Sequence, residues 1–494
     1  MKLLRSLGIA LLGVAAAASS AAAQSWQRVN NNPPVNIGTM LLLTDGTVIG
    51  HQEDDQNGDV ATNAWYKLTP DINGSYVNGT WSQIASMASN YGPLFFGSAV
   101  LKDGRVLVEG GEYNQYDGGF TNLGAIYDPV ANTWTPVNPP SGWSAIGDAS
   151  TVVLANGTLM LANAISRQQA LFNSSTLTWT STGTNKYDSN DEEGWTLLPN
   201  GKVLTVDAYV DRNDPTGKNY ELYDPSSGSW SVAGTTPVQL WDPPGCGGSF
   251  EVGPATLMPN GTVFATGARG GGCGPGHTAI YDTTSGTWTA GPDFPGTFDV
   301  ADGPAALETN GNVIVFSSPG IFNAGSVVFE WNGSSLTQIA GPPNEANRSS
   351  FQGHFLMLPS GQIMFTDYTN DVEIFTSSGS NYSGWQPDAL LVRTVYSRGS
   401  SFLLNGHRFN GASQNNTYGD DLQNATNYPI VRFTNVSTGH VFYGRTHDHS
   451  AMAVGFNGPG YTHVDIPANM ETGQTNMQIV VNGIASQNYT IGIQ

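Results

Sequence analysis

Short apolar runs recur along the chain, each broken by a tight polar turn and followed by a second apolar run. The pattern appears seven times, in LLLTDGTVIG, AVLKDGRVLV, VVLANGTLML, TLLPNGKVLT, ATLMPNGTVF, AALETNGNVI and LMLPSGQIMF. The turn glycines are Gly46, Gly104, Gly157, Gly201, Gly261, Gly311 and Gly361, spaced 44 to 60 residues apart. Asp-Gly and Asn-Gly between apolar runs predict hairpins, because both turn positions need positive φ. Most units add a second hairpin: AIYDPVANTW, ALFNSSTLTW, ELYDPSSGSW or AIYDTTSGTW. Its last strand opens with Trp134, Trp179, Trp230 or Trp288. Each unit should therefore hold four strands. After Thr376 the phase stops, and SSGSNYSGWQP separates a second region. There, turns at Asn405-Gly406, Asn457-Gly458 and Asn482-Gly483, with the alternation in MQIVVNGIASQNYTIGI, predict a small β-sandwich.

Repeats of about 50 residues with two hairpins each resemble kelch repeats, one propeller blade apiece. The expected fold class is all-β. A seven-bladed kelch-type propeller should span residues 24–380, and a C-terminal immunoglobulin-like, early-set sandwich residues 388–494. The double glycine typical of kelch repeats is clear at Gly110-Gly111.

Composition adds three constraints. A charged start, Met1-Lys2-Leu3-Leu4-Arg5, an apolar run from Leu7 to Ala18 and Ala21-Ala22-Ala23 predict a secretory signal peptide cleaved after Ala23. The protein is expected to be secreted or periplasmic, monomeric, and without a membrane span. Its net charge of −21 argues against nucleic acid and anionic membranes, and leaves carbohydrate or polysaccharide as the expected partner. Its two cysteines, Cys246 and Cys273, predict one disulfide in an oxidising compartment, closing a loop worth about 3 kcal/mol. A metal pair of Cys273 with His277 is the alternative.

A signal peptide, a seven-bladed propeller and a C-terminal sandwich together resemble the galactose oxidase and glyoxal oxidase family. In that family a hairpin of the C-terminal domain carries a histidine up the propeller axis to a copper ion. The resemblance assigns this hairpin to THDHSAM, with His449 as the ligand and His447 beside it. The family's remaining copper residues are not matched. Phe351 and Gln352 stand where it has a tyrosine and a histidine before the last turn glycine. Phe95 or Phe96 stands where it has the tyrosine crosslinked to cysteine, and no cysteine lies in the first two blades. A phenyl ring neither ligates copper nor holds a phenoxyl radical, so copper oxidase chemistry is not expected.

Innermost strands line a propeller axis, and the residues opening them face its central funnel. Seven to ten residues before the turn glycines stand Asp148, Glu193, Glu251 and Asp302, in four consecutive blades, with Asp191 and Glu192 adjacent. Clustered carboxylates need protons, hydrogen bonds or a cation. One carboxyl of raised pKa beside an ionised one suits sugar hydrolysis. Oxygen ligands in a ring suit a hard cation such as calcium. With His354 or His449 as base, elimination at a uronate becomes chemically accessible, and His447 with His449 forms a candidate metal pair. Bonds to backbone N–H groups of neighbouring blades would instead make the carboxylates purely architectural. Trp143, Trp195, Trp241 and Tyr209 fall in blade-linking segments, where they either stack on sugars or fill the core.

Overall fold

The computed structural model describes residues 24–54, 60–208, 217–269 and 273–494. The expected signal peptide and Tyr209 lie outside them. Seven four-stranded antiparallel units form the propeller, in the order that the repeats predict. The third blade is typical, with strands Thr151–Val153, Leu159–Ala162, Gln169–Asn173 and Thr178–Thr182. All seven turn glycines adopt positive φ, between 76° at Gly46 and 95° at Gly311. The repeated tryptophans fall directly opposite an aromatic on the neighbouring strand. Tyr127–Trp134, Phe172–Trp179, Tyr223–Trp230 and Tyr281–Trp288 are cross-strand pairs with ring centroids 5.0, 4.8, 5.4 and 5.1 Å apart. Such pairs each add roughly 0.2–1 kcal/mol to a sheet.

The seventh blade is completed from the other end of the chain. Ser25–Arg28 pairs with Glu373–Thr376, placing Trp26 opposite Phe375 and closing the ring. Disulfide formation between Cys246 and Cys273 is as expected, with Cα atoms 5.6 Å apart. The C-terminal region is one curled sheet, hydrogen-bonded along a continuous path. Its faces close on a core that includes Phe402, Leu404, Phe433, Val464, Met477 and Ile479. The expected sandwich thus takes the form of a single sheet folded over itself. Among the described residues no helix is long and apolar enough to cross a membrane.

One segment joins the two regions. Between strands Ser401–His407 and Ile430–Asn435, the chain leaves the C-terminal sheet and runs up the propeller axis. Asn416–Thr417 pairs there with the inner strand Ala305–Leu307 of the sixth blade. This segment is polar in sequence, yet nearly every residue from Phe409 to Asn424 is buried. Its side-chain amides account for the paradox. Asn415 donates to the Leu307 carbonyl at 2.8 Å and Asn424 to that of Phe355 at 2.7 Å. Asn416 Oδ1 accepts from the Met357 N–H at 2.9 Å, and Gln414 Oε1 from that of Leu197 at 2.8 Å. Inner strands are sheet edges, whose backbone groups must find partners. Asn and Gln carry both a donor and an acceptor, so either edge group can be met.

Candidate functional site

The residues that open the inner strands surround a cavity of about 450 Å³ at one mouth of the axis. Its wall divides into two arcs. Asp148, Glu192, Glu251 and Asp302, from the third to sixth blades, form an acidic arc, extended by Glu112 and by Asp420 and Asp421 from the threaded segment. Tyr113, Phe95, Phe351 and Phe322 form an aromatic arc. Consecutive centroids along it lie 6.1, 6.3 and 5.4 Å apart.

Local backbone conformation aims several of these side chains. Phe95, Glu192, Asp302 and Phe322 all have positive φ, at 51°, 58°, 48° and 56°. Non-glycine residues in this region cost on the order of 1–3 kcal/mol each and concentrate at functional sites. Glu251 is fixed differently: its N–H donates to Asp242 Oδ1 at 2.8 Å. The threaded segment passes so close that a Cβ on Gly419 would lie 2.1 Å from Asp302 Oδ1, and one on Gly194 would lie 2.0 Å from the Gly419 carbonyl oxygen. Ser150 holds the tip by donating to the Asp420 carbonyl at 3.3 Å.

Charge in the acidic arc is poorly compensated. Burial, then neighbouring carboxylates, push Asp148, Glu192, Glu251 and Asp302 well above the usual carboxylate range. Asp420 is also raised by burial, but hydrogen bonds from Asp421, Asp302 and the backbone hold it down. Asp148 Oδ1, Glu251 Oε2 and Asp302 Oδ1 are buried without a hydrogen-bond partner.

Three of the four expected carboxylates, Asp148, Glu251 and Asp302, therefore meet at one mouth. Glu193 does not: its carboxylate accepts from Lys186 Nζ at 3.0 Å and from Thr205 at 3.2 Å, away from the cavity. Its neighbour Glu192 takes the place, because the left-handed turn there shifts the strand's alternation by one residue.

None of the three histidines lines the cavity. His354 is buried beneath it, stacked on Tyr418 with centroids 5.8 Å apart, and burial lowers its pKa to about 4. His447 and His449 lie at the opposite end of the propeller. His449 N–H donates to the Lys102 carbonyl at 3.0 Å and Thr446 N–H to that of Thr44 at 3.2 Å, beside the inner turn glycines. His449 is buried against Tyr428, its Nδ1 2.9 Å from Thr462 Oγ1, and burial brings its pKa to about 3. His447 is 2.7 Å from Asp448 and stacks on His463 at 5.4 Å. The pair does not share a site. The resemblance had assigned the axial position to the wrong segment: residues 410–427 climb the funnel, and Asp420-Asp421 arrive at its tip.

Of the two roles open to the blade-linking tryptophans, the structure shows core filling. Trp143, Trp195 and Trp241 are buried core residues, with Trp241 Nε1 bonded to the Gly217 carbonyl at 3.0 Å. His51 is fully buried, its ring nitrogens 2.7 Å from Glu53 and 2.6 Å from the Thr62 carbonyl. The sequence signal missed was the run NNTYGDDLQNATN, a polar stretch without alternation that carries two adjacent acids.

No protein-family model matches the chain, and no curated protein matches it in sequence. Solved structures do match. A fungal alcohol oxidase of the AA5 family, determined in complex with copper, aligns with a TM-score of 0.53 at 14% identity, covering 95% of this chain and 99% of that one. The fold is that of an AA5 oxidase. Virginiamycin B lyase from Staphylococcus aureus aligns with a TM-score of 0.50 at 11% identity, over 72% of this chain and 100% of its own. At these identities the likeness is one of fold alone. Copper does not fit the cavity. Its polar lining is carboxylates and Tyr113, with Phe95 and Phe351 among the aromatics, whereas copper(II) favours imidazole nitrogen.

Proposed function

We propose that this chain is an exported, carbohydrate-directed protein whose ligand occupies the axial cavity, with glycoside hydrolysis as the chemistry of its acidic arc. The division of the cavity wall carries this reading: four aromatic rings face a set of carboxylates across one cavity. A pyranose has an apolar face and a rim of hydroxyl donors. The face stacks on Phe351 and its neighbours, and the hydroxyls donate to carboxylate oxygens. Hydrolysis needs a protonated carboxyl and an ionised one side by side. Asp148, pushed up by burial and by the carboxylates around it, and adjacent to Asp420, suits the acid. Asp420, held down by its hydrogen bonds, suits the ionised partner. Elimination is disfavoured, because no histidine reaches the cavity to act as base.

The test is binding and turnover with a panel of oligosaccharides and aryl glycosides. Phe351→Ala should weaken binding, and Asp420→Asn should abolish turnover while keeping binding. Saccharide binding without turnover would leave a lectin-like module. Absence of binding across neutral and acidic saccharides would overturn the proposal.

A further inference from the structure

We infer that the acidic arc binds one calcium-sized divalent cation through Glu192, Glu251 and Asp302. The oxygens of these three lie within 4.8 Å of one another. Calcium sits about 2.3–2.6 Å from each oxygen ligand, so two ligands of one ion are at most about 5 Å apart. Carboxylates alone do not establish a site, but two of these carry a second feature. Glu251, only 6% exposed, has Oε2 buried in the wall without a hydrogen-bond partner, and Asp302 Oδ1 is likewise unpartnered. Leaving such atoms unsatisfied costs roughly 1–3 kcal/mol each, more when charged. A cation relieves both at once.

The same protein also shows what it does when it neutralises buried acids itself. Beside this site, Lys186 Nζ lies 2.6 Å from Asp188, 3.0 Å from Glu193 and 2.6 Å from Glu221. Among the described residues no lysine, arginine or histidine lines the axial cavity. A bound ion would supply the counter-charge that these side chains do not. Asp148 and Asp420 form an adjoining set that shares Glu192 with the first.

The inference rests on the cavity and not on what organic ligand enters it, so the experiment is run without saccharide. Full-length mature protein is stripped with chelator, then titrated with calcium chloride by calorimetry, with thermal unfolding recorded in parallel. One ion should bind per chain and raise the Tm by several degrees. Glu251→Gln and Asp302→Asn should each weaken calcium binding at least tenfold, and Glu192→Gln at least 100-fold. Three independent neutral variants guard against one failing to fold, since any variant with an unchanged circular dichroism spectrum suffices. Heat-silent titration up to millimolar calcium would overturn the inference, as would binding unchanged in Glu251→Gln. Calcium failure with saccharide binding intact in chelator would remove the cation and keep the proposed function. Calcium binding with no saccharide binding would do the reverse.

Discussion

Glu192 and Glu193 sit side by side in the chain, yet each belongs to a different cluster of buried carboxylates. Glu193 joins Asp188, Asp207 and Glu221 around Lys186, whose side chain is fully buried. Burial works against the lysine's charge, but the surrounding acids outweigh it and hold its pKa well above the usual value. Glu192 joins Glu251, Asp302, Asp148 and Asp420 around open space. The first cluster carries its counter-charge on a lysine side chain that is itself fully buried. The second keeps a cavity, and no described cationic side chain lines it. Similar sets of acids thus pin the segment leading into the fourth blade in one place and line a cavity in the other.

The strongest way to break this contrast is to remove the lysine. Lys186→Met leaves four buried carboxylates uncompensated, and denaturant unfolding should show a loss of about 3–5 kcal/mol. A loss below about 1 kcal/mol would mean that shared protons suffice there, and the two clusters would cease to differ. Gly419→Ala should come next. Its Cβ would collide with Asp302 Oδ1 at 2.1 Å, and overpacking of this kind costs about 1–3 kcal/mol while displacing an axial acid. Unfolding and ligand titration on the same sample would register both effects.

Glu373 offers an intermediate case with a pH signature. It is buried in the seventh blade, and burial followed by Asp367 raises its pKa from 4.5 to about 8, despite Arg28 and Arg348. A raised carboxyl stabilises the fold below its unfolded value and loses that contribution as pH climbs through the folded one. Glu373→Gln should therefore match or trail the parent near pH 4, then overtake it between about pH 4.5 and pH 8, by on the order of 2 kcal/mol at pH 9. Thermal melts across that range check the crossing, and parallel curves would remove Glu373 from the argument. The smallest effect has the opposite sign to the lysine substitution. In chelator, Glu251→Gln should leave stability unchanged or raise it by about 1 kcal/mol, because it removes one of several like charges. Marked destabilisation would place the axial arc with the Lys186 cluster.

The repeat made the propeller legible, because hairpin glycines and cross-strand tryptophans depend on local geometry alone. Asp148, Glu251 and Asp302 followed from counting back from those glycines. Glu192 escaped the count because its positive φ interrupts the two-residue alternation that the count assumes. Asp420 and Asp421 escaped because their segment has no period of its own. Its conformation is dictated by strand edges in four blades, more than 50 residues away in each case. The closing strand Ser25–Arg28 is equally silent, since its partner lies near the far end of the propeller.

The threaded segment has a consequence for the order of assembly. Every inner strand is synthesised before residue 410 exists, so the ring waits for its axle. Until the segment arrives, backbone groups of Leu197, Leu307, Phe355 and Met357 lack the partners that the axial amides provide. The final collapse of the propeller is therefore an event that follows release of the C-terminal region, not one that proceeds blade by blade from the ribosome. A chain ending at residue 380 would hold all seven repeats and still possess an unfilled, sticky bore.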